Sequence, residues 1–282
     1  MSLAADSDFL LGMAQSSQQR DAVARLALSD AQQRSQLICL DPAAGLSLTD
    51  SGFDLIAEIK KRSPAEGDLG AALTSPELQA EAYVRGGAAV LSVLTEPDKF
   101  SGSLDDLHAV AQSIAPVPAM RKDFLVSCYQ VREARLAGAS GVLLIAAILD
   151  PDKMAAMLET AFEMGLFVLM EVFDQADLDK CVPVLEQFDA ALKDGRCNYL
   201  LGVNCRDLRT LKVNFGHFQF MAPKLPTNIP WVAESGVTEE SQIGTLAGLG
   251  YRLALVGTAL MRSGDPAATV AAWKEVGHLA CS

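Results

Sequence analysis

Glu58, Lys60, Lys122 and Glu171 stand at or near the ends of otherwise apolar, strand-like runs. Ammonium and carboxylate groups so placed are suited to moving protons and to holding an anion. The runs are Leu55-Ile56-Ala57-Glu58-Ile59-Lys60, Val117-Pro118-Ala119-Met120-Arg121-Lys122 and Leu166-Phe167-Val168-Leu169-Met170-Glu171. Side chains alternate faces along a strand, so Ile56, Glu58 and Lys60 share one face while Leu55, Ala57 and Ile59 share the other. If the second face meets covering helices, Glu58 and Lys60 point into a common interior. An uncompensated buried charge is costly, so such groups must pair with one another or hold a ligand.

The elements that would position them recur along the chain. Short apolar runs at 55–59, 89–94, 117–120, 141–145, 166–172, 199–203, 231–233 and 253–256 make eight candidate strands. Helix-like stretches lie between them at 75–86, 129–137, 152–164, 175–185 and 239–247, several with Ser or acidic starts and glycine ends. Gly86-Gly87-Ala88, Ala137-Gly138-Ala139 and Gly248-Leu249-Gly250 read as helix-to-strand turns. Apolar strands alternating with amphipathic helices indicate an α/β fold with a parallel sheet. Eight such units fit a closed (β/α)8 barrel of roughly 250 residues. Residues 51–282 are assigned to the barrel and 1–50 to an N-terminal helical extension, with one or two helices within 7–48 packed on it. A doubly wound open sheet is the alternative, but its Gly-x-Gly-x-x-Gly turn is missing after the first strand.

Composition excludes several classes of function. The chain has 282 residues, 50% of them hydrophobic, and a formal net charge of −12, which argues against a general nucleic-acid surface. The six cysteines are far apart, without a C-x-x-C pair, and there are three histidines, so a metal site is not expected. The first residues lack the basic start of a secretory signal. No uninterrupted apolar stretch approaches the roughly 18 to 20 residues of a membrane span. The expectation is a cytoplasmic protein with free thiols.

In a (β/α)8 barrel the C-terminal strand ends and their loops form the active face. Ser63, Ser92, Asn204, Arg206, Glu234-Ser235-Gly236 and Gly257-Thr258 then join the four charged residues. The loops after the seventh and eighth strands are the usual phosphate position, where glycine admits backbone N–H groups to an anion. Each residue has a plainer reading: Glu58 with Lys60 as an interior ion pair, Lys122 as a solvated turn charge, Glu171 as a helix cap, Glu234 as a loop support. Their joint placement on one face favours a site.

Ile56-Ala57-Glu58-Ile59-Lys60-Lys61-Arg62-Ser63-Pro64, Leu91-Ser92-Val93-Leu94-Thr95-Glu96 with Phe100-Ser101-Gly102-Ser103, and Arg121-Lys122-Asp123-Phe124 begin an ordered series of motifs. It continues through Gly138-Ala139, Leu143-Leu144-Ile145, Glu171, Gly202-Val203-Asn204-Cys205-Arg206-Asp207-Leu208, Glu234-Ser235-Gly236-Val237 and Val256-Gly257-Thr258-Ala259-Leu260-Met261. The series resembles indole-3-glycerol phosphate synthase across all eight units.

The resemblance implies closure of a pyrrole ring on 1-(2-carboxyphenylamino)-1-deoxyribulose 5-phosphate, with loss of CO2 and water, in tryptophan synthesis. It implies no organic cofactor and no metal. Lys122 resembles the general acid that protonates the ketose oxygen. Glu171 resembles the carboxylate that orients it, and Lys60, partnered by Glu58, the group that binds the substrate carboxylate or acts in dehydration. Asn204 would bond a substrate hydroxyl or orient a catalytic group, with Arg206 beside it, and Glu234 and Ser92 would add to the polar interior. Ser63, Ser235, Gly236, Gly257 and Thr258 would hold the phosphate, and Phe100, Phe124 and Leu208 would line the anthranilate pocket. The expected partner is this phosphorylated small molecule, with no nucleic acid and no membrane; the residues say nothing of association with other enzymes of the pathway.

The chain departs from the family pattern at Asn204-Cys205-Arg206, where Asn-Asn-Arg is common, and at Ser127-Cys128, where Asp-Pro is usual. Ser63-Pro64-Ala65 replaces Ser-Pro-Ser, the extension lacks the familiar Lys-and-Glu pattern, and the 185–198 connection is long. Two other readings follow: a paralogue acting on a related aryl-amino sugar phosphate, and a non-catalytic phosphate-binding barrel. The second would be marked by loss of Lys122, Glu171 or Lys60, and all three remain.

Overall fold

The computed structural model describes residues 9–50, 52–69, 75–195, 198–208 and 210–281. Eight parallel strands close into a barrel: β1 (Asp54–Ile59), β2 (Val90–Leu94), β3 (Ala119–Lys122), β4 (Gly141–Ile145), β5 (Phe167–Val172), β6 (Tyr199–Asn204), β7 (Trp231–Glu234) and β8 (Leu253–Val256). Each pairs with its sequence neighbours, and β1 closes the ring against β8 with Ala57 opposite Val256. The eight runs expected from sequence match these strands; the third is shifted, so that Lys122 lies within β3.

The helices of eight residues or more, among those described, are α1 (Phe9–Ala27), α2 (Asp30–Leu37), α3 (Pro76–Arg85), α4 (Leu104–Ser113), α5 (Cys128–Leu136), α6 (Pro151–Glu163), α7 (Gln175–Leu185), α8 (Glu240–Gly248) and α9 (Pro266–Cys281). Their starts follow from capping: Ser75, Ser103, Ser127, Asp150 and Asp174 each accept a bond from a first-turn N–H. The three expected helix-to-strand turns are present, and Gly87, Gly138 and Gly250 sit in them at φ of 88°, 91° and 94°. An L side chain resists that conformation, so glycine sets these turns.

Two apolar layers result. One lies between strands and helices, with Leu55, Ala57, Val142, Val168 and Leu201. The other fills the barrel, with Ile56, Val90, Met120, Leu143, Phe167, Leu200, Val232 and Leu253. The polar residues at the strand ends continue the inner face above this plug. In parallel pairs, opposed residues share a face, so the registers Leu94 with Lys122, Ile145 with Glu171, Glu171 with Gly202 and Asn204 with Glu234 build one ring.

The sequence did not announce α4, α9 or the small hairpin of Arg62–Ser63 with Gly67–Asp68 that follows β1. The long 185–198 connection contains an extra turn, Glu186–Phe188, and the short helix Asp189–Lys193. Tyr199 anchors it by donating to Asp189 at 2.8 Å. No helix among the described residues is long and apolar enough to cross a membrane.

Candidate active site

A cavity of ≈720 Å³ opens at the C-terminal end of the barrel. Its wall includes Glu58, Lys60, Lys122, Glu171 and Asn204, together with Ser63, Phe100, Phe124, Arg206, Leu208, Ser235, Gly236, Gly257 and Thr258. All of these are residues that the sequence assigns to the site. Two others fall elsewhere. Ser92 is fully buried, opposite Glu58 and Met120 in the sheet and one step below the wall residue Leu94, so it belongs to the barrel filling and not to the cavity wall. Glu234 lies behind the wall and reaches the site through Lys122.

Lys122 is the hub of the charged cluster. Its Nζ donates to Glu234 Oε2 at 2.9 Å and stands 3.7 Å from Glu171 Oε2. Burial favours loss of its proton, but the carboxylates of Glu234, Glu171 and Glu58 outweigh burial and hold the ammonium above its usual pKa. Burial and the adjacent Glu234 charge also push the Glu171 carboxyl up, to about 8, against the pull of Lys122. Near neutrality that cluster therefore holds a proton close to the ammonium. Across the cavity Lys60 pairs with Glu58 at 2.8 Å. Burial would raise Glu58, yet Lys60 and then Lys122 keep its carboxyl below the ordinary value.

The loops after β6 to β8 form the other end. Asn204 Oδ1 accepts from the Arg206 N–H at 2.9 Å, and Arg206 Nη1 donates to the Leu211 carbonyl. Ser235 and Gly236 are consecutive left-handed residues, at φ of 68° and 69°. A Cβ on Gly236 would approach Cys205 Sγ to 2.6 Å, so this glycine is required by both conformation and space. Gly257 has no such φ; a Cβ there would fall 2.3 Å from Glu58 Oε1 and 2.9 Å from Lys60 Nζ. It makes room for the Glu58–Lys60 pair, a role its loop position alone does not reveal. Gly236→Ala should then raise KM and weaken competitive inhibition by inorganic phosphate, whereas Gly257→Ala should also lower kcat. Unchanged phosphate inhibition in both variants would place the anion elsewhere.

The sequence missed contributors from distant segments. Phe9, from the extension, lines the cavity and meets Phe124 edge-on at 6.2 Å between centroids. Phe100 lies 6.4 Å from Phe124, completing an aromatic wall above Leu143 and Ile145. Glu66 and Arg262 pair at 2.8 Å, joining the hairpin after β1 to the segment after β8. Behind Lys122, Asp123 accepts two bonds of 2.8 Å from Arg20 on α1 and one of 3.1 Å from Arg121. Arg121 points out of the barrel, where its Nη1 also bonds Glu133 and the Gln130 carbonyl. Ser127, at a departure from the family pattern, caps α5 and donates to Asp21 of α1.

Cys205 is buried in the layer between strands and helices, as its alternation with Asn204 leads one to expect, and its Sγ contacts the Ser235 carbonyl at 3.4 Å. Burial pushes its thiol up to about 12, so it is protonated and unreactive at neutral pH. A thiol reagent should label the exposed Cys39 and Cys281 of the folded protein while sparing Cys205, and Cys205→Ser should change turnover by less than about tenfold. Rapid labelling of Cys205 with matching loss of activity, read by peptide mass spectrometry, would reverse this assignment.

Solved structures of other barrels resemble this one at low identity. 3-Hexulose-6-phosphate synthase from Salmonella typhimurium matches with a TM-score of 0.59 and 14% identity, covering 79% of this chain and 98% of that one, which speaks for the fold alone. The protein-family model for indole-3-glycerol phosphate synthase matches residues 13–273. An indole-3-glycerol phosphate synthase of Mycobacterium leprae (strain Br4923) is 43% identical over 225 residues, 80% of this chain and 78% of the relative. One of Rhodococcus jostii (strain RHA1) is 41% identical over 263 residues, 93% of this chain and 92% of the relative. With a family model matched over most of the chain and relatives 43% and 41% identical, this chain belongs to the indole-3-glycerol phosphate synthase family.

Proposed function

We propose that this protein converts 1-(2-carboxyphenylamino)-1-deoxyribulose 5-phosphate to indole-3-glycerol phosphate, with release of CO2 and water. The observation that carries the reading is Lys122, an ammonium held between Glu234 and Glu171 in a cavity with an apolar aromatic wall and glycine-bearing loops at its other end. The phosphate binds at Ser235, Gly236, Gly257 and Thr258, with Ser63 opposite, and the anthranilate ring against Phe100, Phe124 and Leu208. The reacting carbons then lie between two anchored ends, which removes much of the orientational cost of ring closure.

Lys122 protonates the ketose oxygen as the ring carbon bearing the carboxylate attacks the carbonyl carbon. Its charge stabilises the oxyanion as it develops. Loss of CO2 returns an electron pair to the ring, and loss of the new hydroxyl as water, with a proton, completes the indole. Glu171, with its raised proton affinity, passes a proton to or from Lys122, and Lys60, set by Glu58, binds the substrate carboxylate and assists dehydration. Asn204 orients Glu171 and the substrate hydroxyls.

Incubating the purified protein with the carboxyphenylamino-deoxyribulose phosphate while recording indole fluorescence tests the reading. Product should form without added metal. No product from folded protein at high substrate concentration would reject it, and a panel of related aryl-amino sugar phosphates would then find the accepted substrate.

A further inference from the structure

We infer that Gly202 is a positioning residue for this reaction: its missing side chain is the space in which the Glu234 carboxylate lies, and that space sets Glu234 against Lys122. The inference rests on Lys122 acting as the acid.

Gly202 lies in the middle of β6 with its inner face toward the charged cluster, between Glu171 on β5 and Val232 on β7 in the sheet. A Cβ built there would stand 2.0 Å from Glu234 Oε1 and 3.1 Å from its Cδ, with Leu169 Cδ1 at 3.0 Å. Gly202 is not among the left-handed glycines, so strand geometry would accept an alanine. What excludes it is the carboxylate. Otherwise that carboxylate is held by the Lys122 ammonium and the neighbouring Glu171 carboxyl. Oε2 accepts from Lys122 at 2.9 Å, while Oε1 is buried with no hydrogen-bond partner. The Lys122 ion pair and the Glu171 carboxyl on one side, and an absent methyl on the other, therefore define where the charge sits.

The obstacle to an alanine is the end of a flexible side chain, not backbone, so the fold can absorb the substitution by moving Glu234. Any retreat lengthens the contact with Lys122. The ammonium is then left with Glu171 at 3.7 Å and Glu58 as its nearest carboxylates, and its orientation loosens. A glycine whose bland reading is a sheet-packing residue thus becomes part of how the acid is aimed.

A double-mutant cycle tests this, with kcat, KM and the pH profile measured for Gly202→Ala, Glu234→Ala and the pair together. Gly202→Ala should lower kcat by about 10- to 100-fold, as displacements near an ångström do, with KM changed less than about threefold. The basic limb of its kcat profile should move to lower pH, because the nearest anion has left the ammonium. In the Glu234→Ala background no carboxylate meets the new methyl, so adding Gly202→Ala should cost less than about threefold. Should Glu234→Ala be too slow to assay, thermal unfolding carries the same cycle, with Gly202→Ala lowering Tm only when Glu234 is present. An unchanged kcat in Gly202→Ala, or losses that multiply in the double variant, would overturn the inference. So would a Gly202→Ala protein that fails to fold and is not rescued by Glu234→Ala, since Leu169 would then be the obstacle. An active Lys122→Met would sink the acid assignment itself, which separates that failure from this one.

Discussion

Lys122→Met should abolish measurable turnover while leaving the barrel folded. Methionine keeps the apolar length of lysine and removes the proton donor, so the loss should be at least the 10²- to 10⁴-fold typical of general acid catalysis. It should be larger than that on the proposed mechanism, in which the ammonium also stabilises the developing oxyanion. The fold survives because the substitution leaves Glu234 and Glu171 side by side without their cation, and two adjacent carboxylates relieve their repulsion by sharing a proton. Glu171 is already pushed up to about 8 with Lys122 in place, and removing the ammonium pushes it further in the same direction. Circular dichroism and gel filtration should match the parent, and phosphate should still compete at the far end of the cavity. A folded variant with near-normal kcat would reject Lys122 as the acid.

Much of this arrangement was legible in the sequence, for physical reasons. Strands buried on both faces read as continuous apolar runs, and glycine turns with Ser or Asp caps bound the helices between them. A charged residue at the end of such a run is expensive unless it has a partner, which singles out Glu58, Lys60, Lys122 and Glu171. Depth along the barrel axis was not legible. It depends on the stagger of neighbouring strands, so Ser92 sinks into the filling while Leu94, two residues later, reaches the cavity. Contacts across long stretches of chain were equally hidden. Phe9 and Arg20 belong to a helix with no signal pointing at residues 124 and 123, and only tertiary packing brings them there. The steric reasons for Gly202 and Gly257 also lie in side chains on other strands, Glu234 and Glu58, which no local pattern encodes.

Asp123→Ala should be the most destabilising single change near the site, by about 3–5 kcal/mol, the usual cost of breaking a buried ion pair from one side. The carboxylate is fully buried and accepts from Arg20, Arg121, the Thr95 hydroxyl and the Phe124 N–H. Its removal strands Arg121, which is 2% exposed, with only Glu133, Thr95 and a carbonyl for company. It also releases α1, whose Phe9 closes the aromatic wall, so KM should rise in whatever fraction remains folded. The same contacts fix a pH dependence. Burial opposes ionisation of Asp123, but Arg20 and Arg121 outweigh it and hold the carboxyl well below its ordinary value. A group depressed in the folded state contributes stability that is complete above its unfolded pKa of about 3.9 and is lost as pH falls toward the folded value. Glu171 has the opposite sign, because its raised pKa makes the folded state bind more protons between about 4.3, its unfolded value, and about 8, so its contribution declines across that interval. Thermal unfolding of the parent should therefore lose stability below about pH 4, and Asp123→Ala, already weakened at neutral pH, should lose less on acidification. Parallel stability curves for the two proteins between pH 2 and 5, or a neutral-pH Tm unchanged by the substitution, would show that the arginine clasp on Asp123 does not hold the extension to the barrel.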